Sequence, residues 1–159
     1  MKRYFEIKDY ITGERTKIYT IHDSELPLTE TDDFFNRFKD DPKLRQDVEI
    51  IAKWIRKIGD EGALERYFRP EDKGAAIPIE GSRLRLYCYR VNDEILILGN
   101  GGLKTSQLVK NSSDAYPHFQ IINDVAFVLK LKESKGQLSI FGNQLHGDLK
   151  FYLDTKENE

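Results

Sequence analysis

The chain has 159 residues, a length typical of one domain that can bury a core without a disulfide or a structural metal. Charged residues make up 33% and hydrophobic residues 39% of the sequence, a composition typical of soluble globular proteins and unlike that of disordered ones. The formal net charge of -2 excludes a uniformly basic nucleic-acid coat but allows a local basic patch. We expect a single domain over residues 1–159.

Signals for membranes, disulfides and metals are missing from the sequence. No apolar run approaches the roughly 20 residues that cross a bilayer, and the charged start of the chain lacks the apolar core of a signal peptide. The single cysteine, Cys88, cannot form an internal disulfide. His22, His118 and His146 lie far apart, without the spacing of metal ligands. We therefore expect a cytoplasmic protein with no membrane association, no metal and no cofactor.

Hydrophobic spacing predicts the elements of the first half. Residues 4–21 are rich in β-branched and aromatic side chains around a central glycine, which predicts a β-hairpin. Thr31 or Asp32 is expected to cap a short helix. The strongest periodic stripe runs through residues 44–58 and predicts a helix that Gly59 and Gly62 end. Its apolar positions are Leu44, Val48, Ile51, Ile55 and Ile58.

The second half predicts a hairpin, a helix and a short tail. Residues 83–91 and 94–98 form the hairpin, and the glycine-rich residues 99–102 predict a flexible turn. Residues 111–114 are expected to cap a last helix, and two short strands are expected between residues 137 and 153. This order of elements is typical of an α+β fold, not of alternating βαβ units.

The strand at residues 83–90 is the most informative for function. Because side chains alternate along a strand, Leu84, Leu86 and Cys88 point into the core. The opposite face then carries Arg83, Arg85, Tyr87 and Tyr89. Guanidinium groups hold phosphate oxygens in a bidentate fork, and tyrosine rings stack on bases. The alternative is an ordinary solvated sheet face whose arginines pair with nearby carboxylates.

Further cations could extend this patch. Arg66, Arg69 and Lys104 are candidates, and residues 83–110 hold five Lys or Arg against two acidic residues. The glycine-rich segment before Lys104 superficially resembles a phosphate-binding P-loop. A P-loop needs glycine directly before its lysine, where this chain has Leu103, so we exclude nucleotide hydrolysis of that type.

The order of four segments resembles the RelE/ParE toxin superfamily, and within it the HigB-like, phage-derived branch. These segments are residues 55–62, 67–70, 83–90 and 95–105. The resemblance covers a RelE-like core of about residues 44–106 and leaves a C-terminal extension at about residues 112–159. It implies a small α+β fold in which helices pack on one face of a twisted antiparallel sheet, here with an N-terminal hairpin and a C-terminal helix plus hairpin.

The resemblance also implies a function. It implies the toxin of a toxin–antitoxin system that inhibits growth by cleaving mRNA on the ribosome without a metal. A cognate antitoxin, often of helix-turn-helix type, blocks such toxins. Carried over to this chain, Arg85 contacts the scissile phosphate and Lys104 matches the second lysine of the family's Lys-Lys-Thr stretch. Arg83 and Tyr87 lie near the same surface and match less closely. Either Tyr87 or Tyr89 would position the hydroxyl or the base. The remaining RNA-binding candidates are Arg83, Tyr89, Arg66 and Arg69.

The sequence departs from the family pattern in two places. The strand before residue 83 usually carries an arginine, and this chain has Ala-Ala-Ile-Pro-Ile at residues 75–79. Leu103 replaces the first lysine of the pair, and no good general base is visible. These departures favour the alternative of a catalytically degenerate RelE-fold protein that acts as a binding or regulatory module. An unrelated small enzyme also fits, because a fold does not fix function.

Overall fold

A computed structural model describes residues 1–71, 73–77, 79 and 81–155. The main strands are β1 (Lys2–Thr12), β2 (Lys17–Asp23), β3 (Arg69–Glu71), β4 (Gly74–Ala76), β5 (Leu84–Asn92), β6 (Ile95–Leu103), β7 (Leu138–Phe141), β8 (Gln144–Gly147) and β9 (Lys150–Asp154). The helices are α1 (Glu30–Phe38), α2 (Arg45–Glu61) and α3 (Tyr116–Ser134), with single 3-10 turns at Glu65–Tyr67 and Val109–Asn111. The chain therefore has the predicted mixed α+β composition.

Seven strands form one sheet in the order β3-β4-β5-β6-β2-β1-β9. Neighbouring strands are antiparallel except β2 and β6, which are parallel. The hairpin of β7 and β8 forms a separate two-stranded sheet. β9 pairs with β1, so the last described strand of the chain lies beside the first.

Helices cover both faces of the sheet, in contrast to the single covered face that we expected. On one face, α1 and α2 bury Phe34, Ile51 and Ile55 against Leu84 and Leu86 of β5. On the other face, α3 and the β7–β8 hairpin pack against a second set of strand side chains, which includes Tyr87, Tyr19 and Ile97. The physical reason is clearest in β6, where Ile95 and Ile97 point to one face and Leu96 and Leu98 to the other, so each face of this central strand needs its own cover.

Two helix boundaries differ from the prediction because the residues concerned serve the sheet. Thr29 caps α1, accepting a hydrogen bond from the Asp32 backbone N–H at 3.1 Å. The predicted cap, Thr31, is buried and donates its hydroxyl to the Gly99 carbonyl at 2.9 Å. The helix α2 continues past Gly59, the first of its two predicted ends, and ends before Gly62, the second. The close approach to Gly59 is made possible by Gly13, where a Cβ would collide with the Gly59 carbonyl.

The predicted flexible turn at Gly99–Gly102 is wrong, because β6 runs unbroken through it to Leu103. The glycines allow close approach of neighbours instead of a turn. A Cβ at Gly101 would collide with the Arg85 carbonyl, and one at Gly102 with the Asp114 carboxylate. A glycine run inside a strand therefore marks the most crowded part of the sheet.

The residues after β6 contribute one strand, β9, to the seven-stranded sheet, and they also form α3 and the β7–β8 hairpin that pack on one of its faces. Helix α3 has Pro117 in its first turn as expected, but no side chain caps it; the Asp114 carboxylate accepts the Leu103 N–H at 2.7 Å instead. Both predicted tail strands are present as β7 and β9, and β8 was not expected. The extension predicted over residues 112–159 is described as far as residue 155.

None of the helices in the described ranges is long and apolar enough to cross a membrane.

The two-sided core makes a direct stability prediction. Ile51 on α2 and Ile122 on α3 are both fully buried, on opposite faces of the sheet. We expect Ile51→Ala and Ile122→Ala each to lower the free energy of unfolding by about 2–5 kcal/mol in urea denaturation, since each leaves a cavity. Ile50→Ala, at a position 36% exposed on α2, is the matched control and costs much less. Equal costs for Ile122→Ala and Ile50→Ala would contradict a core on the α3 face.

Candidate functional site

Three of the predicted cationic residues meet at one corner of the sheet, where β5 begins and β6 ends. The Lys104 backbone N–H donates to the Arg83 carbonyl at 2.7 Å. Arg85 lies opposite Gly102 in the β5–β6 ladder. Arg83 is exposed, and Arg85 and Lys104 are half-buried. We call Arg83, Arg85 and Lys104 the cationic corner.

The backbone at the start of β5 orients the Arg85 guanidinium. Its Nη1 donates to the Ser82 carbonyl at 2.6 Å and to the Leu84 carbonyl at 3.0 Å. The guanidinium therefore folds back along its own strand. Arg85 shares the α3 face with Tyr87, as the alternation of the strand predicts.

The two tyrosines do not line an open surface, which corrects our expectation. Tyr87 is fully buried, with its ring edge-to-face against Phe119 of α3 at a centroid distance of 5.7 Å. Tyr89 is half-buried beneath the same helix, where burial and the nearby Glu133 carboxylate raise the pKa of its phenol. Tyr87 is therefore a core residue that cannot reach RNA. Sequence alternation gave the correct face of the sheet but could not reveal that α3 covers it.

The remaining predicted cations lie towards the β3 edge. Arg69 is opposite Ala76, which is opposite Tyr87, so Arg69 and Tyr87 are separated by two strand spacings, about 10 Å. The Arg66 guanidinium lies over the ring of Tyr67, 5.2 Å from its centroid. Both arginines are exposed. They form a second cationic position beside the corner, and no hydrogen bond or ion pair between described residues joins them to it. Within the segment at residues 75–79, β4 ends at Ala76 and Pro78 lies outside the described residues.

Sequence reasoning missed Arg37, which links three elements next to the cationic corner. From α1, its Nη2 donates to the Asn100 side-chain oxygen and to the Gly101 carbonyl, both at 2.5 Å. Its Nε donates to Asp33 at 3.1 Å, and its Nη1 lies 3.5 Å from Asp114. No local pattern could reveal this cluster, because Arg37 and Asn100 are 63 positions apart in the sequence.

Arg37 adds to the positive charge around the corner. Asp114 connects the two groups, because its carboxylate touches Arg37 and lies over Gly102, directly across the ladder from Arg85. Among the described residues, four cations (Arg37, Arg83, Arg85 and Lys104) and three carboxylates (Asp33, Asp114 and Asp47) lie around the end of β6 and the start of β5. Asp47 belongs to this set because it accepts a hydrogen bond from the Ser82 hydroxyl at 2.6 Å. The described part of this corner therefore carries one more positive than negative group, while the chain as a whole is negative.

A cavity of about 210 Å³ lies on the other side of Asn100. It is lined by Arg3, Leu26, Pro27, Leu28, Glu30, Asp33, Asn100 and His118. Arg3 bonds Asp23 at 2.8 Å and lies 3.4 Å from the Glu30 carboxylate, whose pKa is raised by burial against the lowering influence of Arg3. The Nδ1 atom of His118 is buried, and no described residue bonds it.

The electrostatics of this cavity keep His118 neutral. Burial, reinforced by Arg37, lowers the pKa of His118 to about 4. The imidazole at pH 7 is therefore uncharged and one of its nitrogens is an acceptor. Within the described ranges, no three His, Cys, Asp or Glu side chains are placed to hold a metal ion together.

The lowered pKa of His118 predicts an acid-sensitive contribution to stability. A histidine in the unfolded chain titrates near 6.5, so between pH 6.5 and about 4 the unfolded state binds more protons than the folded state. The free energy of unfolding should fall as the pH falls through this window, by up to about 3 kcal/mol at roughly 1.4 kcal/mol per pKa unit. We expect the His118→Gln variant to lack this component in urea titrations at a series of pH values. Parallel pH profiles for the two proteins would contradict the assignment, since carboxylates such as Asp23 titrate in both.

The sequence matches no protein-family model, and no curated protein or solved structure is significantly similar to it.

Proposed function

We propose that this chain is a RelE/HigB-like toxin that binds ribosome-associated mRNA through the cationic corner. The observation that carries the proposal is the meeting of Arg83, Arg85 and Lys104 at the end of the β5–β6 ladder. Of these, Arg85 matches the family's phosphate-contacting arginine and Lys104 matches the second lysine of its Lys-Lys-Thr stretch, while Arg83 lies near the same surface and matches less closely. A cognate antitoxin of helix-turn-helix type would block the same corner.

The local charge supports phosphate binding. RNA backbone is recognised largely by cations, each of which releases a counterion when it neutralises a phosphate. Arg83 is exposed, and Lys104 lies beside it in a chain whose overall charge is negative. Arg37 supports the corner from behind by fixing the backbone of Gly101. Binding at the corner would thus rest on local positive charge and not on the overall charge of the chain.

Cleavage would use the ribose 2'-hydroxyl as the nucleophile. Its proton passes to a base, the oxygen attacks the adjacent phosphorus, and the 5'-oxygen leaves with a proton from an acid. Arg85 and Lys104 would stabilise the charge of the phosphorane. Tyr87 cannot position the hydroxyl, because it is buried under α3. Lys104 is then the only member of the predicted catalytic set that can exchange a proton, since arginine stays protonated.

A second candidate function is binding of RNA or of a partner protein without cleavage. The burial of Tyr87 favours it specifically, because that burial removes an acid–base group from the predicted site. A positioned acid or base contributes roughly 10²–10⁴-fold to such reactions. On this alternative the corner holds phosphates and the ribosomal message stays intact.

Phosphate binding at the corner predicts a salt-dependent affinity. We expect Arg83→Ala and Lys104→Ala each to weaken binding of a single-stranded RNA oligonucleotide, measured by fluorescence anisotropy. Each variant should also reduce the slope of log affinity against log salt by about 0.7, the value for one lost phosphate contact on a single strand. Arg56→Ala, which removes an exposed arginine from α2, is the control and leaves affinity and slope unchanged. Equal losses in all three variants would exclude the corner.

Expression in bacteria distinguishes the two functions. A cleaving toxin arrests growth on induction and produces new mRNA 5'-ends, and Arg85→Ala abolishes both while the protein remains folded by circular dichroism. RNA binding without new mRNA ends identifies the non-cleaving module. Folded protein that neither arrests growth nor binds RNA would overturn the proposal as a whole.

A further inference from the structure

The outer edge of β9 presents backbone groups that no described strand satisfies. The Ile7 N–H donates to the Leu149 carbonyl and the Thr155 N–H donates to the Met1 carbonyl, both at 2.9 Å. Antiparallel bonds recur at every second residue, so Phe151 and Leu153 bond to β1. The N–H and carbonyl groups of the even-numbered residues therefore point outward along the edge.

The exposed face of β1 and β9 carries a regular pattern of side chains. Tyr152 is 65% exposed and its ring centroid lies 4.6 Å from that of Tyr4, the residue opposite it on β1. The register places Lys150 opposite Glu6 and Asp154 opposite Lys2. Each row across the two strands is thus a pair of opposite charges, or the tyrosine pair in the middle.

We propose that β9 pairs antiparallel with β9 of a second copy of this chain, about a twofold axis at Tyr152. In this register Tyr152 faces its own copy, and Lys150 faces Asp154 of the second copy. Each outer row then alternates in sign across four strands: Lys2, Asp154, and the second copy's Lys150 and Glu6. The central row is four tyrosines. Cross-strand pairs of opposite charge and of aromatic rings both stabilise sheets.

The available backbone groups fit this pairing. Tyr152 exchanges two hydrogen bonds with its copy, and the Asp154 N–H of each chain donates to the Lys150 carbonyl of the other. The Lys150 N–H takes no part, since it already donates to the Asp148 carboxylate at 3.2 Å. The pairing therefore leaves the hydrogen bonds that β9 makes within the monomer unchanged.

Charge complementarity selects a second copy over an unrelated strand. A lysine on an edge strand discourages pairing with other chains, because it meets no counter-charge there. A partner strand neutralises both Lys150 and Asp154 when it runs antiparallel and carries a basic and an acidic residue four positions apart. The strand β9 itself has this spacing, since Lys150 and Asp154 are four positions apart. With five residues a side, well below the 20–30 of a standard interface, the dimer is weak and depends on concentration.

Charge reversal tests the proposal. Sedimentation equilibrium of the full chain should show dimers that grow with concentration into the high micromolar range. Lys150→Asp or Asp154→Lys alone places like charges across the axis and should weaken the dimer at least tenfold. The double variant with both changes restores opposite charges across the axis and should recover dimerisation in part, because each new side chain still meets a like charge on β1 of its own chain, at Glu6 or Lys2. Lys53→Asp makes the same charge change on the exposed face of α2 and should leave the dimer unaffected.

Hydrogen exchange provides a readout at the edge itself. The amides of Tyr152 and Asp154 should gain protection with concentration, while the Lys150 amide does not. Wild-type protein that stays monomeric throughout would overturn the proposal. So would a dimer that both single reversals leave intact, or whose loss the double variant fails to repair while circular dichroism shows it folded.

Discussion

The structure depends on the close approach of other segments of the same chain to β6 between Gly99 and Gly102. The Arg85 carbonyl occupies the place where a side chain at Gly101 would begin, and the Asp114 carboxylate does the same at Gly102. Thr31 donates to the Gly99 carbonyl and Arg37 to the Gly101 carbonyl. This short stretch thereby joins β5, α1 and the segment before α3. A single methyl group there would separate elements that also carry the cationic corner.

The sequence predicted well where a pattern is local. The stripe from Leu44 to Ile58 predicted α2, and the alternation of Leu84, Leu86 and Cys88 predicted the core face of β5, where all three are fully buried. It predicted poorly at Gly99–Gly102, because a run of glycines is compatible with two different structures. A glycine run is typical of turns, but inside a sheet it also permits close backbone approach, and only the neighbours of β6 decide between the two.

The candidate site shows the same division. Arg83, Arg85 and Lys104 could be assigned to one corner because strand pairing is readable from a hairpin pattern. The burial of Tyr87 could not be predicted, because it depends on packing against Phe119 of α3, which lies 32 positions later in the sequence. Arg37 and His118 had no signal at all, because they reach the end of β6 from α1 and α3, respectively. Packing between residues far apart in the sequence therefore explains both why Tyr87 is not at the site and why Arg37 and His118 were not predicted there.

Covering both faces of the sheet limits where this molecule can bind anything. With α1 and α2 on one side and α3 on the other, the central strands offer only their ends, and the outermost strands offer their edges. The cationic corner is one such end and the outer side of β9 is one such edge. In a dimer joined at β9, seven strand spacings separate the two copies of β6, about 34 Å along the sheet. Pairing at β9 would leave each corner open, so the proposed self-association and the proposed phosphate binding would occupy separate parts of one sheet, and neither would require the other.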